Sequence, residues 1–270
     1  METKKLSFAE MQGLLEKAET QNRWHGLIIG DKGVGKTSLL KTAPRPIVVA
    51  SFDPGGLLAL SRDDAVGPAI PEDQIMVINC ENDDYLDPKA YLYFERQFKE
   101  LRKNDIFPHI GTFALSSITT FAQSLMWQIM KKENRIIAGM DRASDQKKQG
   151  MQMADWGTLN TMFQWWSRAI SALPCHTIME GHIARNYDEV QMTHVKTLML
   201  PGASKDNVPN IVPEVYYMSV DNKGNRQLLT NYTKGFKAST KFGAGCLADE
   251  EPADFRGILQ KCGLPHEDVV

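Results

Sequence analysis

Cysteine is scarce in this sequence, and the few cysteines form no recognisable pair. They stand at Cys80, Cys175, Cys246 and Cys262 among 270 residues. None belongs to a C-x-x-C pair, and no histidine stands at zinc-ligand spacing, so the pattern argues against a disulfide framework and against a zinc finger. We expect four buried or inert thiols in a reducing compartment.

Long apolar runs are missing, as is a surplus of one charge. No run approaches the roughly 18 residues that a membrane-spanning helix needs. Because no apolar segment follows Met1 to Ser7 either, we expect a cytoplasmic protein with no targeting signal and no membrane partner. Lysine and arginine number 31 against 33 acidic residues, a net charge of −2. Any contact with nucleic acid must therefore come from local patches.

One stretch carries a specific motif. Residues 30 to 37 read Gly-Asp-Lys-Gly-Val-Gly-Lys-Thr, which fits the phosphate-loop pattern G-x-x-x-x-G-K-S/T at every fixed position. An apolar run precedes the loop and a helix start follows it, the arrangement that phosphate binding requires. The glycines allow backbone N–H groups to point inward at a phosphate. The predicted nucleotide-binding residues are Gly30, Asp31, Lys32, Gly33, Val34, Gly35, Lys36, Thr37 and Ser38.

Strands alternate with helices along the chain. Apolar runs predict strands near 27–29, 46–50, 75–79, 112–117 and 176–181 and a hairpin at 215–220 and 227–230. Helical spacing predicts helices near 87–101, 118–132, 162–173 and 255–262. This order predicts an α/β fold with a mostly parallel sheet and helices on both faces. We predict a small N-terminal amphipathic helix over 1–23, a core over 24–230 and a C-terminal hairpin and loop extension over 231–270.

Two polar stretches keep no apolar period. Residues 131–150 hold six basic residues among three acids, and residues 185–210 are again polar. Both are predicted to be loops. Their charge is compatible either with a nucleic-acid contact or with a solvated surface.

The phosphate loop alone does not hydrolyse a triphosphate. Lys36 is expected to reach the β and γ phosphates and the Thr37 hydroxyl to bind Mg²⁺, but a second metal contact and an oriented water are also needed. An Asp at the end of a central strand normally supplies that contact, whereas here the fourth strand ends in Ser116. Ser116 can hold a metal-bound water but carries no charge. Asp83, Asp84 and Glu180 are other acids that could replace it.

Two further residues follow strand ends. Asp53 comes after the strand that ends near Phe52 and could orient the attacking water or complete the metal site. It could equally be a turn residue before Pro54. His182 follows the fifth strand and could sense the γ-phosphate through a hydrogen bond, or have a structural role only.

Several segments, taken in order, carry a resemblance. They are the phosphate loop, Asp53, Leu-Ser-Ser-Ile-Thr at 115–119, Asp155-Trp156-Gly157, the strand that ends in His182, and Ala238-Ser-Thr-Lys-Phe-Gly243. Over roughly residues 24–245 the chain resembles phage-type P-loop ATPases of the AAA family with a RecA-like core, a group that includes single-strand annealing and recombination proteins. The family has an Asp where this chain has Ser116.

The resemblance implies an activity, a set of site residues and partners. It implies a RecA-like P-loop NTPase that binds ATP and Mg²⁺, with Lys36, Asp53, His182 and Lys241 as catalytic residues and Thr37 and Ser116 at the metal. Lys241 would reach a neighbouring subunit's nucleotide, and hydrolysis would be weak because Ser116 replaces an acid. The implied partners are single-stranded DNA held by residues 131–150 and 185–205, further copies of the chain, and a single-strand DNA-binding protein. The implied setting is phage recombination or replication in the host cytoplasm.

Two other classes remain open. A small GTPase would explain the loop and the Asp53-Pro-Gly-Gly56 segment, but that segment follows the loop too closely and the sequence has no N-K-x-D motif to recognise guanine. A nucleotide-gated assembly protein would hold ATP with little hydrolysis and use the γ-phosphate to order its loops. Ser116 favours this second alternative.

Overall fold

The computed structural model describes residues 22–136, 150–188, 192–232, 235–243 and 245–269. In these ranges the strands are β1 (His25–Gly30), β2 (Ile47–Ser51), β3 (Ile75–Asn79), β4 (Thr112–Ser116), β5 (His176–Asp188), β6 (Thr193–Leu198), β7 (Glu214–Val220), β8 (Arg226–Leu229) and β9 (Glu250–Pro252). The helices are α1 (Lys36–Leu39), α2 (Ala90–Lys103), α3 (Ile118–Lys132), α4 (Met153–Ser171), α5 (Ser204–Ile211) and α6 (Phe255–Lys261).

All of these strands belong to one sheet, in the order β3-β2-β4-β5-β1-β7-β8-β9, with β6 paired to β5. The six strands from β3 to β7 are parallel to their neighbours. β8, β9 and β6 are added in antiparallel orientation. Because β1, β2, β4 and β5 are parallel, their carboxyl ends meet at one edge of the sheet, where a ligand of this class of fold binds.

Side chains of successive strand residues enter different cores, one on each face of the sheet. Leu27 and Ile29 contact the core that includes Phe94 of α2 and Trp166 of α4. Ile28, between them, contacts the core formed with α1 and α6. Strand side chains alternate between the two faces of a sheet, so an uninterrupted apolar run is what a sheet covered on both sides requires. The predicted α/β fold, with its mostly parallel sheet and helices on both faces, is confirmed.

The second polar stretch was wrongly predicted to be a loop. β5 continues well beyond Gly181 and turns back through β6, and α5 follows within the same stretch. Ile183 to Asp188 pair in antiparallel register with Leu198 to Thr193. Backbone pairing in this hairpin does not depend on an apolar alternation, so the sequence pattern gave no signal of it.

Several predictions fall partly or wholly outside the described residues. They include most of the N-terminal helix (1–21) and most of the first polar stretch (137–149). Lys131 and Lys132, which begin that stretch, belong to α3. The predicted C-terminal extension contributes β9 to the sheet and α6 to one of the two cores. None of the helices in the described ranges combines the length and apolar composition needed to cross a bilayer.

Candidate active site at the phosphate loop

The phosphate loop connects the end of β1 to the start of α1 by a tight turn. Gly33 and Gly35 have φ values of +82° and +100°, in the left-handed region that favours glycine. A Cβ at Gly35 would lie 2.4 Å from Nε of Arg226. The loop therefore needs glycine at this position for its backbone angle and for the close approach of Arg226.

Lys36 is a buried cation at the start of α1. Its Nζ donates to the carbonyl oxygens of Gly30 at 3.1 Å and Asp31 at 3.0 Å, and only 7% of the residue is exposed. Burial lowers the pKa of Lys36, an effect that the nearby carboxylates of Glu180, Asp53 and Asp31 partly offset. A buried cation held by neutral carbonyls is a suitable partner for an anionic ligand.

Three side chains meet behind Thr37, at the ends of β4 and β5. Oε2 of Glu180 accepts hydrogen bonds from the Thr37 hydroxyl at 2.9 Å and the Ser116 hydroxyl at 2.7 Å. The Thr37 and Ser116 hydroxyl oxygens lie 3.4 Å apart. Glu180 is 1% exposed, and burial raises its pKa although both hydroxyl donors act to lower it. Sequence reasoning named Glu180 only as one of three possible acids.

Asp53 and His182 form a pair on the other side of the phosphate loop. Oδ2 of Asp53 lies 2.9 Å from Nε2 of His182, and Oδ1 accepts from Ser117 at 3.0 Å and from Thr120. Burial acts to raise the pKa of Asp53, but these hydrogen bonds outweigh it and the net pKa is lowered. The carboxylate therefore stays ionised, and about a quarter of each side chain of the pair is exposed.

A cleft of about 460 Å³ joins these groups. Its lining includes residues of the phosphate loop and the start of α1, the turn after β2, and both Asp53 and His182. Arg226, at the start of β8, also lines the cleft, and its Nε donates to the Val34 carbonyl at 3.1 Å. Nothing in the sequence pattern pointed to Arg226, because it reaches the loop only through the pairing of β8 with β7.

Lys241 is not part of this cleft. Its backbone N–H donates to Oε1 of Glu214 at 2.8 Å, and Glu214 pairs with Gly26 near the start of β1. The structure therefore brings together Lys36, Thr37, Ser116, Asp53 and His182 and leaves Lys241 near the opposite end of the strands. Within one chain, Lys241 has no access to the nucleotide.

A set of contacts leads from the phosphate loop to the β5–β6 hairpin. The Tyr217 hydroxyl donates to Oδ2 of Asp31 at 3.3 Å and accepts from Nζ of Lys196 at 3.2 Å. The same Nζ lies 4.3 Å from the ring centroid of Phe236, which stacks on Tyr217 at 3.8 Å. The carbonyl of His182 accepts from the Met199 N–H at 2.8 Å. Both ends of the hairpin thus contact residues of the cleft.

The residues behind Thr37 fit a magnesium ion. Oε1 of Glu180 is buried and has no hydrogen-bond partner among the described residues. A carboxylate and two hydroxyls are oxygen donors of the kind that Mg²⁺ uses alongside substrate phosphates. Thr37, Ser116 and Glu180 are therefore the residues that could hold the metal.

Comparisons with known proteins agree with a nucleotide-binding fold. A sequence model described as an AAA domain matches residues 22–242. No curated protein matches the sequence. Among solved structures, an ATPase of the type III secretion system of pathogenic bacteria is 13% identical with a TM-score of 0.38, covering 74% of this chain. This chain spans about half of that ATPase, 52% of its length.

A second solved structure, itself an isolated ATPase domain, is 10% identical with a TM-score of 0.42, over 82% of this chain and 78% of that one. Both structural likenesses are remote in sequence, whereas the match to the AAA domain covers most of the 270 residues. The chain is a member of the AAA domain family.

Proposed function

We propose that this protein binds ATP with Mg²⁺ and hydrolyses the bond to the γ-phosphate. The observation that carries the proposal is the ionised Asp53, paired with His182 in the same cleft as Lys36 and Thr37. A phosphate-binding loop needs no such carboxylate to hold a nucleotide. A group that orients water is what turnover requires in addition.

Each residue has a part in this reaction. Nζ of Lys36, now bound to two carbonyls, can donate to the phosphate oxygens instead. Mg²⁺, when bound, neutralises charge on the phosphates, and Thr37, Ser116 and Glu180 would hold it. Asp53 accepts a hydrogen bond from the attacking water, whose oxygen forms the new bond to phosphorus as the bond to the bridging oxygen breaks. The proton ends on the released phosphate or in solvent.

Phosphate release and nucleotide affinity test the proposal together. Lys36→Ala should abolish both without unfolding the chain, whereas Lys99→Ala, which removes an exposed lysine paired with Glu95 on α2, should change neither. Retained turnover in Lys36→Ala contradicts the site. Competition between ATP and GTP separates this protein from a GTPase, since we expect ATP to be preferred.

We also propose single-stranded DNA as a partner, in a phage recombination or replication role and within an oligomer of this chain. The support is the placement of Lys196, Lys205 and Lys237 around a cavity of about 450 Å³ next to the hairpin, with Lys196 linked to the phosphate loop through Tyr217. Lysine contacts to phosphate tolerate any sequence and weaken with salt. Absence of single-strand binding at low salt with ATP present removes this part of the proposal.

A second candidate function is a nucleotide-gated assembly protein with little turnover. Ser116 favours it, because the end of β4 supplies no charge to the metal. Tight ATP binding with negligible phosphate release, with or without single-stranded DNA, would select this alternative over a working ATPase.

A further inference from the structure

We propose that Glu180 supplies from β5 the negative charge for nucleotide-bound magnesium that the end of β4 lacks. This inference rests on the proposed function and assigns one more residue to the same site. β4 and β5 are paired neighbours, with Leu115 level with Met179. The next residue on each strand is Ser116 and Glu180, so a short hydroxyl side chain on one strand stands beside a longer carboxylate on the other.

The hydrogen bonds give Glu180 an orienting action on Thr37. A hydroxyl group has one proton and two lone pairs. Because the Thr37 hydroxyl donates its proton to Oε2 of Glu180 at 2.9 Å, its lone pairs are left for a cation in the cleft. Ser116 donates to the same oxygen at 2.7 Å. Both hydroxyls are thereby turned with their protons toward the carboxylate.

A purely structural role does not account for this carboxylate. An apolar side chain would be stable at a position 1% exposed inside the sheet, whereas a buried carboxylate is costly unless it is paired. Glu180 makes no ion pair within 4 Å in the described residues, since the nearby Lys36 Nζ binds the carbonyls of Gly30 and Asp31. Its Oε1 has no partner there. A cation that arrives with the nucleotide would compensate the charge.

The proposal predicts a defect that depends on the metal. Glu180→Gln keeps the size of the side chain and removes its charge. We expect its affinity for a non-hydrolysable ATP analogue in excess Mg²⁺ to fall by about 10- to 100-fold, as for other partners of metal ligands. In EDTA the affinity should stay the same or rise, because a negative charge near the phosphates has been removed. Isothermal titration calorimetry measures both, and the paramagnetic resonance of Mn²⁺ with the analogue follows the metal directly.

Glu214→Gln is the matched control. Glu214 is also a buried glutamate on a central strand, with its pKa raised by burial, but it lies at the far end of β7 from the cleft. It should bind the Mg²⁺ complex as the parent chain does. A thermal melt of each variant in EDTA checks that both are folded.

A double variant moves the charge back to β4. Ser116→Asp combined with Glu180→Ala should recover part of the Mg²⁺-dependent affinity that Glu180→Ala loses alone. If Glu180→Gln binds the Mn²⁺ complex as tightly as the parent chain, this inference is overturned while the proposed function stands. If the parent chain binds no nucleotide in either buffer, both are overturned.

Discussion

Asp53 shows how neighbouring donors prepare a single carboxylate for its part in the reaction. Ser117, Thr120 and His182 all bind it, so its position is fixed before any substrate arrives. Asp53→Asn should lower turnover by about 10²- to 10⁴-fold, the range for loss of one acid–base group. Nucleotide affinity should change little, because Lys36 and Thr37 are untouched.

The measurement is steady-state phosphate release at saturating ATP, beside direct nucleotide binding. Asp84→Asn is the control, since Asp84 lies after a neighbouring strand and does not line the cleft. Unchanged turnover in Asp53→Asn would return Asp53 to the alternative of a turn residue.

Residues of the site differ in how far the sequence could predict them. Lys36 and Thr37 were predictable because the phosphate loop is local and its spacing is fixed by the turn. Asp53 and His182 were candidates because each follows a strand, but their contact depends on the order of strands in the sheet. Glu180 and Arg226 join the site through the pairing of β5 with β4 and of β8 with β7, which no local pattern specifies.

At the scale of elements, β5 connects the sheet to the hairpin, and Tyr217 on β7 connects the hairpin to the phosphate loop. Tyr217→Phe keeps the ring that stacks on Phe236 and removes the hydroxyl between Asp31 and Lys196. A hydrogen bond contributes about 0.5–1.5 kcal/mol. We therefore expect stimulation of the ATPase by single-stranded DNA to fall by about 2- to 10-fold, with ATP affinity nearly unchanged.

Tyr216→Phe is the matched control for this prediction. Tyr216 is adjacent in sequence but faces the other core, where its hydroxyl donates to Glu214. It should leave the DNA stimulation as in the parent chain. Equal stimulation in the Tyr217 and parent proteins would show that the contacts carry no coupling.

The elements themselves were largely predictable, with one informative exception. Buried strands such as β1 and β2 are continuous apolar runs because both of their faces are covered. Most described side chains of the β5–β6 hairpin beyond Gly181 are at least partly exposed, so its sequence shows neither an apolar run nor a period. What could not be predicted was the part held chiefly by backbone pairing.

At the scale of the whole molecule, two histidines make stability depend on pH. Burial, together with the charge of Arg23, lowers the pKa of His25 to about 4, and burial is also the main cause that lowers the pKa of His176 to about 4. Nδ1 of His176 accepts from the Trp24 N–H at 2.9 Å, and protonation there would break that bond.

Between pH 4 and 6.5 the unfolded chain binds more protons than the folded one, so the free energy of unfolding must fall as the pH is lowered through this range. From pH 7.5 to 5 the loss should be up to about 2 kcal/mol for each histidine. Urea denaturation at both pH values measures it. His176→Gln should remove its own share of the dependence, and an identical slope in this variant would contradict the assignment.

The position of Lys241 has a consequence for assembly. Since it cannot reach the cleft of its own chain, any effect on turnover must act on a neighbouring subunit. Lys36→Ala and Lys241→Ala proteins should each be inactive, yet an equal mixture should recover activity, because a Lys36→Ala subunit still offers Lys241 to its neighbour. A mixture of Lys36→Ala with Asp53→Asn should recover none. No recovery in the first mixture would exclude a role across subunits.

The position of β1 between β5 and β7 also bears on synthesis of the chain. The phosphate loop leaves the ribosome early, but the two strands that flank β1 are made only after more than half of the sequence. Long-range pairing of this kind forms late. The most local motif in the sequence is thus among the last parts to take shape, and a stalled chain could carry every residue of the loop and still be unable to hold a nucleotide.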